Sequence, residues 1–451
     1  MPFENEFASY EPLRRILDNE KVQQLQDRLK VRAIEHDDET ISEEITEKSQ
    51  VEPSEYQPDM VLAIDGSYQA VKVENGFPGA EIGYVTVASV LILLEKIREL
   101  EREEFIDPKQ FRETEKAATI DAVFPGCNVI VDDEDSAKSS MRRILFDELK
   151  NHIVFSEGET LLDTYEALLK IKLEQKSTPS RCPHDNCDAE FTYDYGEYQC
   201  PACGGKLYSS DAMRLHELMN PVGSNGEMYG QIMQTLEKLW LIHILRAFEK
   251  KGWLMTLRRV AFMMDGPLAV FSTSSWLTKA IIIELHRLNE LAKKFTKQDL
   301  ILLGIEKTGT FVNHFEDLDT TKEGVADKFP KQAALLLHDE YIKKNIIFSE
   351  SLKPYGKDTY FGRKFFYKTS LGYKIVPSVA FFNEYQQNLT TARPNQFTRL
   401  ADVMSLLDQV VSSRYKNAVT PLVSAHAEAS IPLNLGRRIF EDIAREIREQ
   451  S

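Results

Sequence analysis

The residues best placed to do chemistry are two aspartates, each standing where an apolar run breaks off. Residues Arg259-Val260-Ala261-Phe262-Met263-Met264 run straight into Asp265-Gly266-Pro267-Leu268, and earlier in the chain Met60-Val61-Leu62-Ala63-Ile64 runs into Asp65-Gly66-Ser67. An apolar run that stops at Asp-Gly reads as a buried strand whose last residue sets a carboxylate at the rim of a sheet, where the chain turns. Taken singly, each Asp-Gly is also an ordinary strand-to-turn signal. Side by side in one sheet, two such strands would bring two carboxylates together, and like charges at close range call for a shared proton or a shared divalent cation. A hard cation such as Mg²⁺ or Mn²⁺ suits an all-oxygen site and keeps positions open for water and phosphate. The chemistry this suggests is phosphodiester cleavage.

A third carboxylate would come from a helix packed beside these strands. The segment from about Gly226 to Lys251 carries Met233, Leu236, Leu239, Trp240, Ile244, Leu245 and Phe248 at helical spacing and leads into the Asp265 strand. Glu237 and Glu249 both lie on it, and periodicity alone would put either one on the surface. Farther on, Asp299 to Thr308 reads as another buried strand that exits in Glu306-Lys307, where a lysine can hold a phosphate or simply face solvent. Arg363 and Lys364, interleaved with Phe361, Phe365, Phe366 and Tyr367, make a basic and aromatic strand of the kind that tracks single-stranded nucleic acid, or an ordinary edge strand. His426 stands alone among small residues from Pro421 to Ala429, a setting in which a histidine is more often structural.

The cysteines form a separate constellation. Cys182-Pro183-His184-Asp185-Asn186-Cys187 is followed by Cys200-Pro201-Ala202-Cys203-Gly204-Gly205, two knuckles around an aromatic stretch that can form a hairpin, which is the spacing of a zinc ribbon. Four thiolates close a tetrahedral shell, so a structural Zn²⁺ is expected rather than a catalytic one. His184 could replace a thiolate, although its place inside the knuckle favours a role as a non-ligand. Cys127 stands apart as a core thiol.

The elements that must position these groups follow from periodicity. An amphipathic helix from Tyr10 to about Ala33 precedes an acidic linker reaching Glu55, and after Asp65 the segments Tyr68–Val73 and Gly83–Ala88 flank an Asn75-Gly76 turn as a hairpin. A charged helix is expected around Leu93 to Glu104, a further strand at Cys127–Val131 capped by the acidic run Asp132-Asp133-Glu134-Asp135, which could join a metal site but as a loop charge run is more simply solvated, and a final helix at about Asn434 to Arg448. The length of 451 residues allows a full core with insertions. No apolar run reaches the roughly 20 residues of a membrane span, and the N-terminus lacks the pattern of a signal peptide, so a cytoplasmic protein is the expectation. Five cysteines, four of them clustered, fit a reducing compartment. A net charge of −16 argues against a broad basic surface for duplex DNA, whose binding draws on Lys and Arg.

The ordered set of Asp-Gly-Ser on the first strand, a hairpin, a helix running into Asp-Gly-Pro-Leu, the Gly304-Ile305-Glu306-Lys307 strand and a late Pro421-Leu422-Val423-Ser424-Ala425-His426 resembles the NurA nucleases. The resemblance implies an α/β, RNase H-like mixed sheet flanked by helices and a Mn²⁺- or Mg²⁺-dependent deoxyribonuclease. It also implies a homodimer working with a HerA-like hexameric ATPase in DNA-end processing or in defence against foreign DNA. By position it makes Asp65 and Asp265 the strand aspartates, Glu237 the helical acid with Glu249 as runner-up, and His426 a ligand or proton carrier. On this reading residues 1–55 are an N-terminal helix and linker, 56–451 the nuclease domain, and 181–207 a zinc-ribbon insertion within a longer insertion from about 105 to 225. Two rivals remain at this stage: a scaffold whose sheet binds nucleic acid or a partner without catalysis, and an actin-like phosphotransferase using Gly76, Gly79 and Gly83 as a phosphate loop.

Overall fold

The computed structural model describes residues 11–30, 45–73, 77–97, 116–131, 134–154, 158–175, 179–271, 275–320, 327–412 and 418–430. Its strands are β1 (Ile45–Glu47), β2 (Met60–Lys72), β3 (Glu81–Leu93), β4 (Lys116–Pro125), the short pairs β5 (Ser180–Arg181) with β6 (Glu190–Phe191) and β7 (Glu197–Gln199) with β8 (Lys206–Tyr208), then β9 (Val260–Asp265), β10 (Ile301–Glu306), β11 (Ala333–Leu336), β12 (Gly362–Lys368) and β13 (Lys374–Ala380). The helices are α1 (Glu11–Leu17), α2 (Glu20–Gln26), α3 (Ala137–Asn151), α4 (Leu161–Glu174), α5 (Gly226–Lys250), α6 (Ser275–Thr296), α7 (Thr310–Asp319), α8 (Asp339–Asn345), α9 (Leu400–Val410) and α10 (Thr420–Ala429).

A single sheet in the order β1-β11-β12-β13-β10-β9-β2-β3-β4 organises the molecule. The meander β2-β3-β4 is antiparallel, and β9 then pairs parallel to β2 on its other side, with β10 parallel to β9. An antiparallel trio continued beyond its first strand by two parallel strands is the RNase H-like arrangement, here extended by antiparallel β13, β12, β11 and β1. Side-chain alternation splits the central strands between two cores. Leu62, Ile64, Phe262, Met264 and Leu302 face the layer built on α3, α4, α5 and α6, while Val61, Ala63, Ala261, Met263 and Leu303 face α9 and α10. Burial on both faces is why these strands read as unbroken apolar runs.

Several expectations are revised. Asp65-Gly66 is not a turn: β2 continues through it for thirteen residues, paired with β3 from Met60↔Leu93 to Lys72↔Glu81. The further strand expected at Cys127–Val131 is absent: that stretch is a turn and irregular chain just past β4, and β4 is the third strand of the meander. β4 therefore places part of the supposed insertion in the sheet itself. The acidic linker contributes β1, which pairs with β11, so the sheet does not begin at residue 56. The N-terminal helix is two short helices divided at Asp18-Asn19, where the Asn19 side chain accepts from Lys21 N. Strand β12 is buried between β11 and β13 rather than at an edge. The helix expected from Leu93 is seen from 94 to 97. The rest of it, Asp132-Asp133 and the helix at Asn434–Arg448 lie outside the described residues.

Candidate active site and zinc site

Parallel pairing brings the two aspartates to one level of the sheet. The β2/β9 register runs to Ile64↔Met264, and Asp65 and Asp265 are the next residue on each strand. Alternation turns both toward the α10 face. Asp65 is 3% exposed; its Oδ1 accepts from Gly66 N at 2.8 Å and its Oδ2 lies 2.9 Å from His426 Nδ1. His426 is carried in by α10, which packs across β2 and β3 and is tied at its end by Ser67 Oγ donating to Ala429 O at 2.6 Å. Asp265 is more open and meets Lys307 Nζ at 3.1 Å. Burial first, and then the charge of Asp265, push the Asp65 carboxyl up to about 6, against the opposing pull of Lys307 and His426.

Glu237 approaches from the other face. Helix α5 lies over β2 and β3, and Glu237, 4% exposed, points at the strand where Gly66 offers no side chain: a Cβ there would stand 2.7 Å from Glu237 Oε1. Burial raises its pKa, Lys238 opposes that rise, and both Asp65 and Asp265 raise it further, so Glu237 senses the two aspartates across the sheet edge. The buried Lys238 donates to Glu237 Oε2 at 2.6 Å. Lys238 and the gap at Gly66 are the two features sequence reasoning missed. The available signal for Lys238 was a lysine set directly against the run Leu239-Trp240-Leu241-Ile242.

Other expected site residues do not converge here. Glu249 lies twelve positions along α5, roughly 18 Å by helical rise, and is held by Arg287 at 2.7 and 2.8 Å. The basic strip on β12 is corrected by burial. Arg363 is 2% exposed and spends its guanidinium on the carbonyls of Gln386, Asn388 and Thr391, stacked over Phe397. Lys364 is buried against Glu306 Oε1 at 2.5 Å, beneath the rings of Phe311 and Tyr360. Neither side chain is available to a nucleic-acid backbone. Lys307 alone of the three sits beside the carboxylates.

The cysteines meet their expectation. The ligand atoms of Cys182, Cys187, Cys200 and Cys203 all lie within 4.8 Å of one another, and two Sγ pairs, Cys182–Cys203 and Cys187–Cys200, are 3.9 Å apart. A tetrahedron with Zn–S of about 2.3 Å has edges of about 3.8 Å, so the four thiols fit that ion. Backbone N–H groups of Cys203 and Ala202 draw the Cys200 thiol down to about 6, as suits a thiolate ligand, whereas burial raises the Cys182 thiol to about 12. His184 stands beside this group, with Nδ1 3.2 Å from Cys182 Sγ and Nε2 3.4 Å from Arg142 Nη1. Arg142 in turn forms a buried two-point pair with Asp211 at 2.7 and 2.6 Å and donates to Lys206 O, fastening the ribbon to α3.

An RNase H-like sheet with acidic residues gathered at adjoining strands, and a four-cysteine ribbon set into it, fits a nuclease. The more specific attribution comes from the family model described as "NurA domain", which matches residues 59–431; the chain belongs to the NurA family of nucleases. The crystal structure of the NurA nuclease from Sulfolobus solfataricus aligns over 98% of this chain and 97% of that chain, at 11% identity and a TM-score of 0.34. The comparison with curated proteins gave no match. Among the described residues no helix is long and apolar enough to cross a membrane.

Proposed function

We propose that this protein is a Mn²⁺- or Mg²⁺-dependent deoxyribonuclease of the cytoplasm, working as a homodimer with a HerA-like hexameric ATPase in DNA-end processing or in defence against foreign DNA. The observation that carries the reading is the buried Asp65 held one strand away from Asp265, whose charge resists its ionisation, with Glu237 pressed against the same strand and opposed by both aspartates. Such a donor set is unfavourable without a cation and well suited to a hard one. Asp65, Asp265 and Glu237 would hold it, and when bound it supplies polarisation of the scissile phosphate and a lower pKa for the attacking water.

The chain's own groups divide the remaining work. Lys307, now on Asp265, is within reach of a phosphate entering beside that carboxylate and can transfer its ion pair to it. His426 has Nδ1 engaged by Asp65 and its ring largely exposed, which leaves Nε2 to carry a proton or to serve as a further ligand. At −16 net charge, and with Arg363 and Lys364 buried, the surface offers little grip on duplex DNA. A ring ATPase that encircles DNA would raise the effective concentration of substrate at the site without adding a contact.

The test uses the isolated protein near physiological salt with labelled duplex and single strand. Slow Mn²⁺-supported cleavage, abolished by chelator and strongly stimulated by a cognate ring ATPase with ATP, is the expected result, with a dimer by light scattering. Chelator-resistant binding without any cleavage would instead make the sheet a nucleic-acid or partner scaffold.

A further inference from the structure

The two Asp-Gly steps look alike in sequence, but their glycines serve different ends. Gly266 adopts φ 76°, with nothing within 4 Å of a Cβ built on it, so glycine is present there for the turn. Gly66 lies in extended strand, in register with Val87, where the backbone would accept other residues. What excludes a side chain at Gly66 is space: a Cβ would meet Glu237 Oε1 at 2.7 Å, Met233 Cγ at 2.8 Å and Glu237 Cγ at 3.3 Å. All three atoms belong to side chains of α5, and none is backbone.

We propose that Gly66 is a positioning residue, an absent side chain whose vacancy sets how closely the Glu237 carboxylate approaches Asp65 and Asp265. This rests on the site reading given above. The Glu237 carboxylate is boxed in, with Lys238 Nζ on Oε2 at 2.6 Å and the bare strand at Gly66 beside Oε1, while the whole side chain is shut away from solvent. Relief of the 2.7 Å contact to ordinary van der Waals distance takes a shift of roughly 0.7 Å, which the carboxylate end of Glu237 supplies by turning away from the strand. Met233 Cγ lies close to its own helix backbone and must give as well, so a methyl group at position 66 costs some stability and displaces the carboxylate. Misplacement of a reacting or supporting group by about 1 Å costs on the order of 10²-fold in rate.

Variants of the full chain test this. Gly66→Ala is expected to lower cleavage by on the order of 10²-fold and to weaken Mn²⁺ binding, read by electron paramagnetic resonance without DNA, by about tenfold or more. Its thermal midpoint should fall less than that of Gly266→Ala, where the positive φ is lost. In a Glu237→Asp background the shortened carboxylate no longer fills the gap, so adding Gly66→Ala should cost only a few-fold further. Gly66→Ala that binds Mn²⁺ and cleaves like the unmodified protein, while Glu237→Gln abolishes both, overturns the inference and leaves the site reading standing. Full activity of Glu237→Gln would instead remove the site reading itself. An equal loss from Gly66→Ala in the unmodified protein and in the Glu237→Asp background would show that the methyl acts elsewhere than on that carboxylate.

Discussion

On the proposed reading the ribbon and the sheet edge both hold cations, and they are built in opposite ways. The ribbon takes four ligands of one kind from a span of 22 residues, Cys182 to Cys203, and brings their ligand atoms within 4.8 Å of one another. The sheet edge draws Asp65, Glu237, Asp265 and His426 from two strands and two helices on both faces of the sheet, and opposes them with Lys238 and Lys307. Among the described residues only the thiols gather so tightly. A closed set of like ligands holds an ion permanently; a looser set with built-in ammonium partners suits one that must also admit a phosphate and a water. On that reading the difference separates support from chemistry, and substitutions in each region should fail in different ways.

The largest effect is expected from the aspartates. Asp65→Asn and Asp265→Asn should each remove Mn²⁺-supported cleavage by more than the 10- to 100-fold, in order of magnitude, that outer partners of a metal site cost. Circular dichroism should remain that of the folded protein, since removing a repelling charge does not unfold it. Near-normal rates from either variant would erase the contrast with the ribbon. Next in size is the choice between glutamates on α5. Glu237→Gln should cripple cleavage, whereas Glu249→Gln, which only breaks a half-exposed pair with Arg287, should leave the rate within about two-fold and cost at most about 1 kcal/mol of stability. The reverse ranking would move the third acid without altering the chemistry.

At the ribbon the failure should be one of stability. Cys182→Ser should release the roughly one equivalent of zinc found by elemental analysis and lower the thermal midpoint, because binding of a structural zinc is folding free energy. Unfolding there should spread along the buried Arg142–Asp211 pair, which a displaced ribbon leaves without its Lys206 carbonyl partner. Zinc loss with unchanged midpoint and activity would make the ribbon dispensable.

This contrast also governs what the sequence could disclose. Cys182, Cys187, Cys200 and Cys203 were legible because their ligand geometry is local, set by two short knuckles. The aspartates were legible because a carboxylate ending an apolar run is a strong local break, and β9 and β10 were found for the same reason. Asp65-Gly66 misled: Asp-Gly signals a turn, but pairing with β3 carries β2 straight through, and tertiary pairing overrode the local signal. β4 was missed because Lys116 to Ala122 reads as small and polar, and its place in the sheet is set by pairing with β3 while Ile120 and Ala122 turn inward. Arg363 and Lys364 were read as exposed because nothing near them in sequence reveals the carbonyls of Gln386 and Asn388, or the Glu306 carboxylate, that receive them. Partners distant along the chain leave no periodic trace.

The smallest effect is also the one that separates the two regions by sign. The Asp65 carboxyl, lifted to about 6 by burial and by Asp265, binds its proton more tightly in the folded chain than in the unfolded one, where about 3.9 is usual. Its contribution to stability is therefore fully present below pH ~4 and is lost as pH rises through about 6. In protein dialysed free of Mg²⁺ and Mn²⁺, Asp65→Asn should remove that loss and be the more stable form at pH 7.5, by on the order of 3 kcal/mol at 1.36 kcal/mol per unit. An asparagine oxygen can still accept from His426 Nδ1, so the α10 contact need not be given up. The ribbon runs the other way, since its thiols take up protons and release zinc as pH falls. Denaturant melts of both Asp65→Asn and the unmodified protein from pH 4.5 to 8, with zinc content followed in parallel, would resolve the two slopes. If Asp65→Asn is instead the less stable form at pH 7.5, the carboxylate is compensated in the resting protein, and the sheet edge is as settled a structural site as the ribbon.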